Sequence, residues 1–312
     1  MEVHAAVPLF LQGYFSTCDR SPKTVAAYTT DLRQFVAALP KAMTLEAVTP
    51  DILEEWAARL KENQYASASI RRKFATLRVF FHYWVRRGEL DLSPMRLVRL
   101  DLARERKLPK VLSAEEVQRI LNQARQEVGP LPDEPLISTA QPYLALRNLA
   151  ILELLFATGI RVGELVAIRL DHWQEHNKAF RIQGKGARER LALLCDSRSQ
   201  STLSIYLRHR RSIPASTSAL LLNAFSKPLS TQGVSNVIAC ITARAGFSRH
   251  VTPHMFRHSV ATLLLNGGAN LRVVQEFLGH SSVITTQRYA HIDSSMMVSS
   301  MKKFHPNNLL VK

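Results

Sequence analysis

Acidic residues are in short supply in this chain of 312 residues: 25 Asp and Glu stand against 41 Lys and Arg, a formal charge of +16. That imbalance favours a polyanionic partner, with nucleic acid ahead of an acidic membrane surface. Cysteine is scarcer still. Cys18, Cys195 and Cys240 are far apart, odd in number and free of any Cys-x-x-Cys pairing, which argues against a disulfide framework or zinc ribbon and for a reducing, cytoplasmic setting. Apolar runs such as LAILELLFA are too short to span a bilayer. The opening segment MEVHAAVPLFLQGYF lacks the positive n-region of a signal peptide. Internal repeats, low-complexity tracts, a P-loop and an acidic metal cluster are missing too, so no cofactor is expected.

What is present is ample apolar material, 46% of the residues, in a chain long enough for about two domains. The sequence predicts a helix opening at Ser21 and Pro22, with Val25, Tyr28, Leu32 and Phe35 at steps of three and four. A second helix is expected from Pro50 to Leu60. A third, from Ser67 to about Arg87, puts Ile70, Phe74, Leu77, Phe81 and Trp84 on one stripe. Arg71, Arg78, His82 and Arg86 fall on another, which is either a solvated basic face or a surface that lies along phosphates. About 20 residues precede the first of these helices, and the N-terminal domain, which the basic stripe makes a candidate for DNA binding, is assigned to residues 1–95.

SPMRLVRLDLARERKLPK, bounded by prolines and without a sustained apolar stripe, reads as a linker over residues 96–111. A second domain then runs over 112–312. Ser113 and Glu116 form a capping box, with Leu112 and Val117 as its hydrophobic staple. The proline-rich stretch Glu127–Pro142 reads as a tolerated loop. An apolar helix from about Leu144 to Ala157 follows, ended by Gly159. Next come a short helix near 161–169 and a β-hairpin, AFRIQ and RERLALL, with Lys185 in its turn. Helices dominate from there. The fold class is mainly α, in two domains: helical at the N-terminus, α-rich with one small antiparallel sheet at the C-terminus.

The chemistry gathers late in the chain. Thr252 can cap a helix that starts at Pro253, so His254 and Arg257, three apart, share a face near a positive helix N-terminus where a phosphate is favoured. Taken alone, His-x-x-Arg is equally a core histidine beside a surface arginine. Arg161, among apolar neighbours, calls for an anionic partner, and Glu164 is one available for a purely structural pairing.

ATGIRVGEL, GKGARER and PHMFRHSVATLLLNGGANLRVVQEFLGHSSVITTQRYAH together resemble the tyrosine recombinases, closest to the Xer-type site-specific branch. Thr24, Tyr28, Asp31, Leu32 and Phe35 resemble that family's core-binding domain, a SAM-like helical module, so the resemblance covers roughly residues 5–305. It implies that Arg161, Lys185, His254, Arg257 and His280 activate a phosphodiester and that Tyr289 is the nucleophile. Each role has a chemical reason. Two guanidiniums offer paired donors to non-bridging oxygens as charge builds. A lysine on a hairpin tip can protonate the leaving oxygen. Tyrosine, with a pKa of about 10, needs a base, and both His254 and Arg257 are open for that part. His280 follows Gly279, a helix stop that would turn its imidazole inward. Glu164 is expected to orient Arg161.

The resemblance implies cleavage and rejoining of strands through a 3′-phosphotyrosyl link and a Holliday junction, with no metal and no small-molecule substrate. The implied partners are duplex DNA carrying an inverted-repeat site, and a homo- or hetero-tetramer on two such sites. Dimer resolution, transposition and integration all use this machinery. Two other readings share parts of the pattern: a DNA-binding regulator without strand transfer, and a relaxing topoisomerase. A zinc face of His250, His254 and His258 would need one continuous helix, which Pro253 interrupts. The tail, with Met296, Met297, Met301 and Phe304 at helical steps, packs on its own domain or, as the family implies, docks on a neighbour.

Overall fold

The computed structural model describes residues 1–18, 20, 22–102, 111–129, 141–183, 189–279 and 303–304. Ser21, Lys185, His280, Tyr289, most of the proline-rich insert and nearly all of the tail lie outside them. The chain divides into two compact units, Met1–Arg106 and Lys107–Lys312.

The first unit is helical: α1 (Val3–Thr17), α2 (Pro22–Ala37), α3 (Pro50–Glu62) and α4 (Ser67–Arg86). The stripe Ile70, Phe74, Leu77, Phe81 and Trp84 is buried as its spacing requires, and Phe80 joins it. The core is aromatic at its centre, with Phe35 edge-on to Trp56 at 5.1 Å and Phe10 edge-on to Phe80 at 5.3 Å. Phe10 belongs to α1, a helix that the sequence reading placed as leading residues. Pro8 sits inside it, and Gly13 lies so close to Tyr83 that a Cβ there would come within 2.2 Å of the hydroxyl. Val3, Ala6, Val7 and Phe10 bury one face of α1, so tertiary packing outweighs the local breakers.

One buried polar cluster holds α2 to α4. Asp31 and Lys73 are 1% and 2% exposed and pair at 3.1 Å. Arg72 and Thr76 also donate to Asp31, and Lys73 donates to Gln34. Breaking such a cluster leaves an uncompensated buried charge. Asp31→Asn is therefore expected to destabilise the first unit by about 3–5 kcal/mol, read as a drop in urea midpoint. An unchanged midpoint would mean that Lys73 finds other solvation.

On α4, Arg78, His82 and Arg86 are exposed. Arg71 is half-buried and donates to the carbonyl of Leu102 at 3.2 Å. Beyond α4, Met95 is buried, and Val98, Leu100 and Leu102 pack on the same core.

The second unit opens with α5 (Ala114–Val128), where the capping box forms in both directions: Glu116 N–H donates to Ser113 Oγ at 3.2 Å and Ser113 N–H to Glu116 Oε2 at 2.9 Å. Leu112 and Val117 are buried beside it. Helix α6 (Gln141–Thr158) is buried on every side from Leu149 to Thr158 and packs against α5, α8 (Ser197–Ser212) and α10 (Pro253–Asn266). It is the axis of this core, which explains its near-continuous apolar run. Gly159 ends it at φ +58°, a left-handed turn that glycine adopts freely.

After α7 (Val162–Ala167) come three antiparallel strands in the order β1 (Trp173–Gln174), β2 (Ala179–Gln183), β3 (Glu189–Leu193). Residues 184–188 join β2 to β3. β1 is too short to have a sequence signature. α9 (Thr231–Arg244), α10 and α11 (Leu271–Leu278) complete the unit, and Phe304 packs against this same core, near Gly268. Among the described residues no helix is long and apolar enough to cross a membrane.

Candidate active site

Two left-handed glycines make the site's frame. Gly159 at the end of α6 and Gly279 at the end of α11 have φ +58° and +67°, and each turns its chain sharply where a guanidinium needs a carbonyl. Arg257, one turn into α10 and 8% exposed, donates Nη1 to Gly159 O at 2.6 Å and Nη2 to Leu278 O at 2.7 Å. Gly159 itself is pressed on Leu278: a Cβ at 159 would come within 2.4 Å of Leu278 Cδ2. The two helix ends are thus joined by close packing and by one arginine fork.

Arg161 stands two residues beyond Gly159, at the start of α7. Its backbone N–H donates to Glu164 Oε2 at 2.9 Å, its Nη1 to Glu164 Oε1 at 2.7 Å, and its Nη2 to Gly279 O at 3.2 Å. The side chain remains 40% exposed while Glu164 is 8% exposed, so the carboxylate is the inner member and the guanidinium reaches toward solvent.

A third guanidinium, Arg190 on β3, completes the set and was not singled out from the sequence. It donates Nη2 to Glu164 Oε2 at 2.8 Å and Nη1 to Phe277 O at 3.4 Å. Three arginines from three segments therefore hold three consecutive carbonyls, Phe277, Leu278 and Gly279, at the negative end of α11. The strand period carried a signal for Arg190, which shares a face with buried Ala192.

Burial first, then repulsion from Arg161, pushes Arg257 down to about 10, with Glu164 partly offsetting and Arg190 adding to the repulsion. It stays protonated at neutral pH. Burial also lowers Arg190. For Glu164 burial acts upward, but the Arg161 N–H and the charges of Arg190 and Arg161 outweigh it and hold the carboxyl below its ordinary value of 4.5. An acid depressed in the folded state contributes stability present above its unfolded pKa and lost as pH falls through the folded one. The fall in urea midpoint from about pH 6 to about pH 3 is therefore expected to be smaller in Glu164→Gln than in the wild type. Equal falls in both proteins would refute the coupling.

His254 is exposed in the first turn of α10, at the rim rather than inside with Arg257. Pro253 takes the first helical position, but Thr252 makes no side-chain cap bond, contrary to expectation; its hydroxyl is not what closes this helix start. His250 precedes α10 and lies off its face. Among the described residues no three His, Cys, Asp or Glu side chains gather as a metal ion would require. The structure thus brings together Arg161, Glu164, Arg257 and Arg190, while His254 is exposed three residues before Arg257 on α10. Lys185 lies between β2 and β3 in sequence, and His280 and Tyr289 come two and eleven residues after the end of α11; all three are outside the described residues.

Two family descriptions match the chain. Residues 110–296 match the phage integrase family, and residues 7–88 match the phage integrase N-terminal SAM-like domain. Among curated relatives, tyrosine recombinase XerD of Listeria monocytogenes is 33% identical over 296 residues, covering 92% of this chain and 93% of its own. Tyrosine recombinase XerC of Mycobacterium bovis is 34% identical, covering 93% and 94%. The fold also matches solved structures. XerH recombinase bound to its difH substrate superposes with a TM-score of 0.65 at 23% identity, over 89% of this chain and 78% of that one. A lambda integrase tetramer on a Holliday junction gives 0.69 at 19%, over 94% and 80%.

Proposed function

The chain belongs to the phage integrase family and is a tyrosine recombinase, and from that premise we propose how its own residues cleave and rejoin DNA at specific sites. The observation that carries this reading is the pair of guanidiniums, Arg161 and Arg257, fixed beside the end of α11 with Glu164 between Arg161 and Arg190. Each guanidinium has five N–H donors, and the bonds to carbonyls and Glu164 leave others for the non-bridging oxygens of a phosphodiester. Three guanidiniums against one carboxylate leave two net positive charges, which stabilise the charge that grows there in an in-line attack.

Tyr289 attacks the scissile phosphorus, its proton passing to His254 of the two candidate bases, since Arg257 stays protonated at neutral pH. Lys185 in the β2–β3 turn protonates the departing 5′ oxygen, and His280 donates to a phosphate oxygen. The phosphotyrosyl link conserves the energy of the broken bond, so the reverse attack by a DNA hydroxyl reseals the strand. The charge of +16, with Arg78, His82 and Arg86 exposed on α4, supports duplex DNA as the partner; the inverted-repeat site is what a symmetric assembly of recombinases would require. A tetramer on two sites accords with the lambda integrase tetramer on a Holliday junction, and the unpaired cysteine pattern fits a cytoplasmic setting.

The experiment is covalent capture. Protein is mixed with nicked duplex fragments tiled from its own genetic neighbourhood, without metal, and denaturant-resistant adducts are digested and sequenced. A nucleotide-bearing peptide that contains Tyr289 is expected. Specific binding with no adduct on any fragment would favour a regulator; an adduct with relaxation but no exchange between two sites would favour a topoisomerase.

A further inference from the structure

We propose that Arg190 is a positioning residue of this active site, setting the Arg161–Glu164 pair and the end of α11 from which the chain runs on to His280 and Tyr289. The inference rests on the proposed function and adds a residue to it.

Arg190 is 16% exposed and lies opposite Ile182 in the β2–β3 ladder, two residues beyond the turn that holds Lys185. Its guanidinium reaches Glu164 on α7 and Phe277 on α11. Thus one side chain ties together the strand that follows Lys185, the helix that starts at Arg161, and the helix that leads to His280. Glu164 is divided between two arginines: Oε1 takes Arg161 Nη1, while Oε2 takes Arg190 Nη2 and the Arg161 N–H. Without Arg190, the carboxylate is free to swing wholly onto Arg161 and draw that guanidinium inward. The contact with α11 is just as close. A Cβ on Gly279 would lie 2.4 Å from Arg190 Nε and 2.6 Å from its Cδ, so the arginine stem is packed against the backbone of the turn.

For stability alone, a third guanidinium is a poor choice. Burial weakens its hold on its proton and Arg161 repels it, with Glu164 only partly offsetting them, so the residue carries a desolvation cost that its one carboxylate partner does not fully repay. A buried cation next to two others is useful where an anion is to arrive, because it holds the shared carboxylate in place and adds positive potential without moving.

The test is single-turnover adduct formation on the nicked duplex that the wild-type protein captures, at saturating and at graded DNA. Arg190→Gln, Arg190→Lys, Glu164→Gln and the Gln–Gln double variant are compared, with thermal midpoints. Arg190→Gln is expected to lower the saturated rate about 10–100-fold, as loss of an orienting partner does elsewhere, while the half-saturating DNA concentration moves less than about 3-fold. Arg190→Lys should recover part of the rate. The double variant should lose little more than the worse single one, since both residues act through one contact. A saturated rate within about 2-fold of wild type, a parallel loss of DNA affinity and thermal midpoint, or multiplying losses in the double variant would overturn the inference. A wild-type protein that forms no adduct would instead remove the reading on which it rests.

Discussion

Tyr289→Phe is expected to abolish the covalent adduct and to leave specific DNA binding in place. The substitution removes one oxygen and one proton from a phenol and keeps the ring, so packing changes little, while the atom that forms the phosphoester is gone. Loss of a nucleophile from a site that otherwise stays intact reduces turnover by on the order of 10⁶-fold in other covalent enzymes, far below detection in a gel assay. Binding should persist because phosphate contacts elsewhere on a chain of charge +16 supply most of its affinity. An adduct that survives in the Phe variant would move the nucleophile to another residue.

Arg257→Lys is expected to reduce the single-turnover rate by about 10²–10³-fold, the cost of removing an aligned donor to developing charge. The charge is kept, so the loss measures geometry. A planar fork now spans Gly159 O and Leu278 O; an ammonium on a flexible stem reaches one of them and leaves the other buried carbonyl bare. The same variant should lose about 1–3 kcal/mol of stability for that reason, read from the thermal midpoint. A rate within 10-fold of wild type would mean that Arg257 holds the two helix ends together and touches no phosphate. Arg161→Lys, on the more exposed side, should show the rate loss with a smaller stability loss.

The helices that position these residues were legible where local chemistry and packing agree. The α4 stripe, the Ser113–Glu116 box and the Gly159 stop each join a local preference to the buried face the core requires. α1 was not legible, because Pro8 and Gly13 speak against a helix and only the facing Tyr83 and Phe80 explain it. Lys73 was hidden for a different reason. It lies between Ile70 and Leu77 on the buried side of α4, but nothing local says that Asp31, 42 positions away, will neutralise it. In the site, Arg161 and Glu164 are three apart and readable as a pair, whereas Arg190 joins them only through strand pairing and a contact with α11.

The three carbonyls at the end of α11 also decide when the arginines become ordered. A long side chain loses about 2 kcal/mol of rotamer freedom when it is fixed, and here the loss falls on folding of the protein, before any DNA is present. On the proposed function, the phosphate then meets groups already at rest, and the chain runs on in sequence from the helix end that restrains them to the proposed nucleophile. Fraying of that last turn would release the guanidiniums together. Protection of the amides at residues 277–279 from exchange should therefore fall and rise with cleavage competence across variants, even those far from the phosphate.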